Sequence, residues 1–298
     1  ATPRPDTREV AVAQVTDKYS DYPSNGLTPV KLAEIFKEAD AGDILRQAEL
    51  FEEMEEKDPH LFSQLQTRKN AVTGLDFEII PFDSDDERDK EIAEFVEGQI
   101  NGIEGLEDIM LDLLDAIGKG FAVSEIMWAY EAGRVVVSDI RSRYQKRFFW
   151  DSEDAFRVRT DEAPEGMELP KNKFILHRYK ARSGHPSRAG VLRVVAWMYL
   201  FKNYTLKDWV AFCEVYGMPL RLGKYQPGAS EDDKRALMQA LAQIGADAAG
   251  IFPDGTTIEF VNTEKASSTD LYERLARYCD EQVSKAILGQ TLTSDSGG

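Results

Sequence analysis

The sequence predicts an α+β protein, and three observations carry that reading. Apolar residues recur at helical spacing from Thr28 to Ile117, the period changes to two from Phe121, and beyond Gly190 two long helices bracket a small α/β module.

Residues 1–27 are polar, hold prolines at positions 3, 5 and 23 and keep no period, which predicts an extended arm that needs a partner to order it. Thr28-Pro29 then opens a helix: the hydroxyl accepts from free first-turn amides, and proline lacks an N–H where none is needed. Leu32, Ile35, Phe36 and Ala39 share its inner face, and Asp40-Ala41-Gly42 ends it. A second helix runs through Ile44, Leu45, Ala48, Phe51 and Met54, and the acidic cluster at 52–56 on its far face is expected to be a solvated surface. Asp58-Pro59 starts a third helix, stopped by Gly74, and Phe77-Glu78-Ile79-Ile80-Pro81 has the composition of a short strand. Ser84-Asp85-Asp86 caps a fourth helix with Ile92, Phe95, Val96 and Ile100 as its apolar stripe, and residues 106–117 repeat the pattern as one helix.

From Phe121 the runs FAVSEIMWAY, RVVVSDIRSR, FFWDS, FRVRT and KFILHRYK read as antiparallel strands, with turns at Glu131-Ala132-Gly133 and Pro164-Glu165-Gly166. Residues 191–216 contain no Gly or Pro and are apolar on nearly all sides, which predicts a helix of about 39 Å at 1.5 Å per residue. A rod of this kind needs cover on more than one side, and copies of the same chain would supply it. A compact insert follows: a strand at 218–225, a turn at Pro227-Gly228, a helix from its Ser230 cap to Ile244, a strand at 250–252, a turn at Pro253-Asp254-Gly255 and a strand at 257–261. Ser267-Ser268-Thr269 starts the second long helix, with Leu271, Leu275, Tyr278, Val283, Ala286 and Ile287 on its buried side and Gly289 at its end. The outline is a stalk with a head.

The chain has 298 residues, 42% of them hydrophobic, enough for one or two domains with a sizeable core. Asp and Glu number 53 against 36 Lys and Arg, which argues against a surface that grips phosphates over a broad face; nucleic acid should slide along it. Cys213 and Cys279 have no Cys or His at metal-ligand spacing and are expected to be buried free thiols. The first residues lack a leader-like apolar stretch and the longest apolar run, 194–201, is too short for a bilayer, so synthesis in a reducing cytosol and no membrane partner are expected.

Strong enzymatic signals are absent: the sequence holds no GxxxxGKS or GxxxxGKT phosphate loop, no GxSxG turn and no HExxH pair. No catalytic residue, metal or cofactor is expected. His60, His177 and His185 read as structural or solvent-facing, and acid pairs such as Asp112 with Asp115 arise by chance among so many carboxylates. Arg141, Arg143, Lys146 and Arg147 interleave with Tyr144, Phe148, Phe149 and Trp150, a pattern open to base stacking, although strand aromatics more often face a core. The basic loop KARSGHPSR, residues 180–188, reads either as solvated or as touching DNA or a partner subunit.

The stretches LFKNYTLKDWVAFCEVYGMPLRLGKY, IFPDGTTIEF and YCDEQVSKAILGQTLTSDSGG, in that order and spacing, resemble the portal proteins of Mu-like phages; GDILRQAELFEEMEEKDPHLFSQLQTRKNAV, residues 42–72, resembles the family's N-terminal helices. The resemblance implies a phage portal fold with a helical and β wing at 28–189 after the arm at 1–27, stem helices at 190–217 and 263–289, a small α/β clip at 218–262, and the start of a tunnel loop at 290–298. Family members continue well beyond this point into further wing and a crown.

The resemblance further implies a homo-oligomeric ring of twelve subunits at the capsid vertex of the virion, assembled in the host cytoplasm. The ring would form the channel for DNA packaging and ejection, with double-stranded DNA held weakly and without sequence preference. Its other partners would be the terminase large subunit, the head-tail adaptor and the major capsid protein. The residues expected to face DNA are Lys202, Lys207, Gln290, Thr291, Thr293 and Ser294. Those expected to meet terminase or adaptor on the clip are Arg221, Lys224, Tyr225, Glu231, Asp232 and Asp233. The stem interface between subunits is expected at Trp197, Tyr199, Phe201, Trp209, Phe212, Leu275 and Tyr278. Two rival classes remain: a soluble hydrolase working through paired carboxylates, which would be a metal-dependent monomer, and a ring-forming adaptor or scaffold that never encloses DNA.

Overall fold

The computed structural model describes residues 5–12, 25–216, 221–243, 249–253 and 268–290. Helices come first: α1 (Pro29–Asp40), α2 (Leu45–Lys57), α3 (Pro59–Thr73), α4 (Glu87–Asn101), α5 (Leu106–Leu114) and α6 (Ala116–Lys119). Their starts follow from the caps in the sequence, since Thr28 Oγ1 accepts from Lys31 N at 3.2 Å and Asp58 Oδ1 accepts from His60 and Leu61 N at 3.0 and 3.1 Å. The single helix expected over 106–117 is two, because the chain turns at Asp115 between α5 and α6.

Strands β1 (Phe121–Glu131), β2 (Arg134–Arg143), β3 (Phe148–Trp150), β4 (Phe156–Val158), β5 (Met167–Glu168) and β6 (Phe174–Arg178) form two antiparallel sheets, ordered β2-β1-β6 and β3-β4-β5. A register shift at Met127/Trp128 bulges the long β1–β2 hairpin. The expected strand at 77–81 is not formed; its residues pair with no strand among those described, and an unpaired extended segment has no ladder to define it.

The chain divides into two compact units, Ala1–Leu200 with Cys279–Gly298, and Phe201–Tyr278; the long helices α7 (Leu192–Tyr216) and α9 (Ser268–Leu288) each contribute to both. In the first unit Leu192, Val195, Ala196, Tyr199 and Leu200 of α7 and Val283 and Ile287 of α9 complete a core with Leu32, Ile35, Phe51, Met54, Leu61 and Leu65. A second cluster joins Phe121, Val123, Phe148, Trp150 and Val158 of the sheets to Ala11, Ala39 and Ile44.

Within the arm, residues 10 and 11 are held by their own chain, because the Glu125 carboxylate accepts from Val10 and Ala11 N at 2.6 and 2.9 Å. Sequence placed the 52–56 acids on a solvated face, yet Glu53 is fully buried, and Glu52 and Glu55 turn inward toward Lys119 and Lys69. The reason is that α2 packs against α1, α3 and α6 at once and so has little free face.

The second unit contains β7 (Arg221–Tyr225), α8 (Glu231–Gln243) and β8 (Ala249–Pro253), with β7 and β8 paired in parallel as a β-α-β turn of chain requires. Ser230 caps α8 reciprocally: its Oγ accepts from Asp233 N at 3.1 Å and donates to Asp233 Oδ2 at 2.7 Å. The expected strand at 257–261 lies outside the described residues. Gly289 ends α9 with φ +76°, a left-handed conformation that favours glycine.

Candidate functional site

The long helix α7 changes character along its length. Up to Leu200 it is packed except at the exposed Val194, whereas from Phe201 to Glu214 only Thr205 is buried, its hydroxyl turned back onto the Phe201 carbonyl at 2.8 Å. Phe201, Tyr204, Leu206 and Val210 are exposed, and Trp209 and Phe212 are half-buried. The first turns of α9 behave alike: Leu271, Leu275 and Tyr278, expected on its buried side, are exposed and Ala276 and Cys279 are buried instead, while Val283 and Ile287 are buried as expected. Within the second unit the Phe212 and Tyr272 rings meet at 5.9 Å.

Among the expected stem-interface residues, Trp197 is half-buried, while Tyr199 is only 2% exposed inside its own unit. Tyr199 therefore packs in its own core and presents no side chain to a neighbour, a correction with a simple cause: the half of α7 that carries it is already covered by α1, α2 and α9. The expectation of two buried thiols also needs correction, since Cys279 is buried and Cys213, on the uncovered half of α7, is exposed.

Of the residues expected to face DNA, Lys207 and Gln290 are exposed and Lys202 is half-buried; Thr291, Thr293 and Ser294 lie outside the described residues. On the module, Lys224 is exposed and Tyr225 half-buried beneath the Lys234 ammonium, 5.2 Å from its ring centre. The side chain of Arg221 lies outside the described residues. Glu231, Asp232 and Asp233 sit in the first turn of α8, where the helix dipole favours negative charge, and each has a local partner: Lys234, Arg235 and Ser230.

The interleaved basic and aromatic run at 141–150 is structural. Phe148 and Trp150 are core residues, Arg143 is bound to Glu125 and Glu9, Arg141 to Asp139 and Glu9, and Lys146 to Glu49. The basic strand cluster thus faces carboxylates of its own chain. Each histidine has a fixed partner: His60 Nε2 with Ser284 Oγ at 2.8 Å, His177 Nδ1 with the Leu113 carbonyl at 2.7 Å and His185 Nε2 with Asp154 at 3.1 Å.

Sequence reasoning missed a buried ion network. Asp115 bridges Lys69 at 2.9 Å and Lys119 at 2.6 Å, with Glu52 and Glu55 beyond them. Burial pushes the Asp115 carboxyl up, and Lys119 and Lys69 more than offset this, holding it well below the usual carboxylate range. Glu55 goes the other way, raised by burial and by Asp115 to about 7, and its Oε1 has no hydrogen bond among the described residues. Asp112 is also raised, by burial and then by Asp115. Only the i, i+3 and i+4 spacings of these acids and lysines were visible in the sequence, and these do not distinguish a surface from an interior. Among the described residues no group of three or more His, Cys, Asp or Glu is arranged to hold a metal ion, and no helix is long and apolar enough to cross a membrane.

The sequence profile described as "Portal protein of Mu bacteriophage" matches residues 48–298, which is most of the chain. The fold is thus that of a mixed helical and sheet phage structural protein, and the chain belongs to the Mu bacteriophage portal protein family. The family is structural and not enzymatic. A Haemophilus influenzae relative, "Mu-like prophage FluMu protein gp29", is 38% identical over 94% of this chain and 54% of its own length. "Portal protein" of Escherichia phage Mu is 34% identical over 98% of this chain and 57% of its own. The chain therefore spans about half the length of the curated relatives it matches. Solved structures titled "Virion of native gene transfer agent (GTA) particle" and "Neck of empty GTA particle computed with C6 symmetry" are similar at TM-scores of 0.48 and 0.49. They share 9% and 11% identity, over 77% and 81% of this chain and 64% and 70% of theirs.

Proposed function

We propose that the chain is a subunit of a twelve-membered portal ring at a capsid vertex, lining the channel through which double-stranded DNA is packaged and ejected. In this reading residues 28–189 are wing, α7 and α9 are stem, the β7-α8-β8 module is clip, and residues 290–298 begin a tunnel loop. The observation that carries it is the uncovered half of α7 beside the uncovered start of α9: Phe201, Tyr204, Leu206, Val210, Leu271, Leu275 and Tyr278 stay in solvent in the single chain. Apolar helix faces of this extent mark contact surfaces, and a head-to-tail repeat of one contact closes by rotation into a ring. Family membership supports the same reading.

The stem helices α7 and α9 together carry six Lys and Arg against six Asp and Glu, and the absence of a net positive charge suits a channel wall, because every tight phosphate contact would have to be broken as the duplex moves. Lys202, Lys207 and Gln290 would touch DNA weakly. Lys224, Tyr225 and the acidic start of α8 would meet a terminase or a head-tail adaptor, with the energy for packaging supplied by the partner; the major capsid protein would surround the wing. Native mass spectrometry and negative-stain imaging down the particle axis test the proposal. Closed rings with a hole wide enough for duplex are expected, and a folded monomer at every concentration would overturn it.

A further inference from the structure

We propose that the acid-rimmed apolar surface of residues 75–108 docks a second copy of this chain, receiving the basic segment that follows β6 in that copy. The inference rests on the ring reading and deepens it by naming a contact away from the long helices.

Two features mark the surface. The segment before α4 leaves Ile80 and Phe82 70% and 100% exposed, with Leu75 and Phe77 exposed beside them. On α4 Ile92 and Val96 are also exposed and Phe95 is exposed in part under the Arg134 guanidinium, and Leu75, Phe77, Ile79, Ile100 and Ile103 line a groove of about 680 Å³. Apolar side chains of this size left uncovered around a groove in one stretch of chain point to a protein partner.

Charge identifies the partner. Residues 75–108 hold thirteen Asp and Glu against two Lys and Arg, a net −11 out of the chain's −17. Two such rims repel each other, so a symmetric pairing of the surface with itself is disfavoured. Residues 178–193 are the complement, with five Lys and Arg and no acid. Three of them, Arg178, Lys180 and Arg182, are exposed and make no ion pair among the described residues.

Within one chain the two surfaces are kept apart by the sheet. On the β2 edge, Gln99 Oε1 of α4 accepts from Val137 N at 2.9 Å and the Arg134 guanidinium lies over the Phe95 ring. The basic segment leaves β6, the opposite edge. Arg134 pairs with Glu131 at the end of β1 whereas Arg178 pairs with Phe121 at its start, so the surfaces occupy diagonal corners about 30 Å apart at 3.3 Å per residue. Unlike patches at opposite corners give a head-to-tail contact, the kind that repeats around a ring.

The test compares the parent chain with Lys180→Glu/Arg182→Glu, with Asp85→Lys/Glu94→Lys and with the four changes combined, using sedimentation velocity at low and high salt. All four positions are exposed, and circular dichroism melting verifies that each variant is folded. Each double reversal is expected to weaken self-association about ten-fold at low salt, and the combination to restore it. Phe82→Ser/Ile80→Ser should weaken it at both salt concentrations. If the reversals leave association unchanged while Leu275→Asp abolishes it, this contact is wrong and the ring stands. Weakening without restoration in the combined variant overturns the pairing of these two surfaces, and a parent that never associates overturns both readings.

Discussion

Arg143 Nε donates to Glu125 Oε2 at 2.9 Å across the β1–β2 hairpin, with both side chains almost completely buried. The same carboxylate faces Lys173 Nζ at 3.4 Å and accepts the Val10 and Ala11 amides, so one acid contacts two interior cations, Arg143 being shared with Glu9, and ties residues 10 and 11 to the sheet. Glu125→Ala should cost about 3–5 kcal/mol, because it strands buried positive charge. Chemical denaturation reads the loss, and hydrogen exchange at Val10 and Ala11 should accelerate first.

Glu55 makes stability depend on pH in the opposite sense from an ordinary paired carboxylate. Its folded pKa, near 7, lies above the ordinary 4.5, so the native state holds the extra proton and stability from this group falls as pH rises from about 4.5 to 7. Glu55→Gln should flatten that fall and stabilise the protein at pH 8 by about 1–3 kcal/mol. Melting curves across pH 4.5–8 check it. Asp115 has the depressed pKa and the reverse sign, so its contribution is present above about 3.8 and lost in stronger acid, in parent and variant alike.

Gly190 lies where the chain enters α7 against the turn after α6. A Cβ there would overlap the Gly118 carbonyl oxygen and the Gly120 nitrogen, both backbone atoms that cannot swing aside. Gly190→Ala should destabilise by about 2 kcal/mol or more, measured by urea unfolding.

Leu275 and Tyr278 are 44% and 53% exposed, so replacing them should leave the isolated fold intact. Leu275→Asp and Tyr278→Asp should keep the melting temperature of the unassembled chain and each weaken self-association by about 2 kcal/mol per contact, seen as loss of rings by native mass spectrometry.

Caps and periods in the sequence found most elements: Thr28-Pro29, Asp58-Pro59, Asp86, Ser230 and Gly289 all mark helix ends where the structure has them. Phe77 to Pro81 was misread because strand composition describes side chains, while a strand exists only when another backbone pairs with it. The 52–56 acids were misread because an amphipathic pattern shows that faces differ and not how many of them are covered. The surfaces assigned to subunit contact and DNA rested on family resemblance and helix patterning, and the structure reassigns Tyr199 to the interior of its own chain.

By itself the sequence determined the helical first third, the change to antiparallel strands, the two long helices around a β-α-β module and the family, because periodicity, end caps and ordered motifs are written locally along the chain. Only the tertiary structure decided that Glu125 is an interior acid, that Glu55 and Asp115 act on stability with opposite dependence on pH, that Tyr199 is inside, and that Leu275 and Tyr278 are outside. Those outcomes depend on which distant segments pack against each face, and burial is a property of the assembled neighbours rather than of the residue or its sequence position.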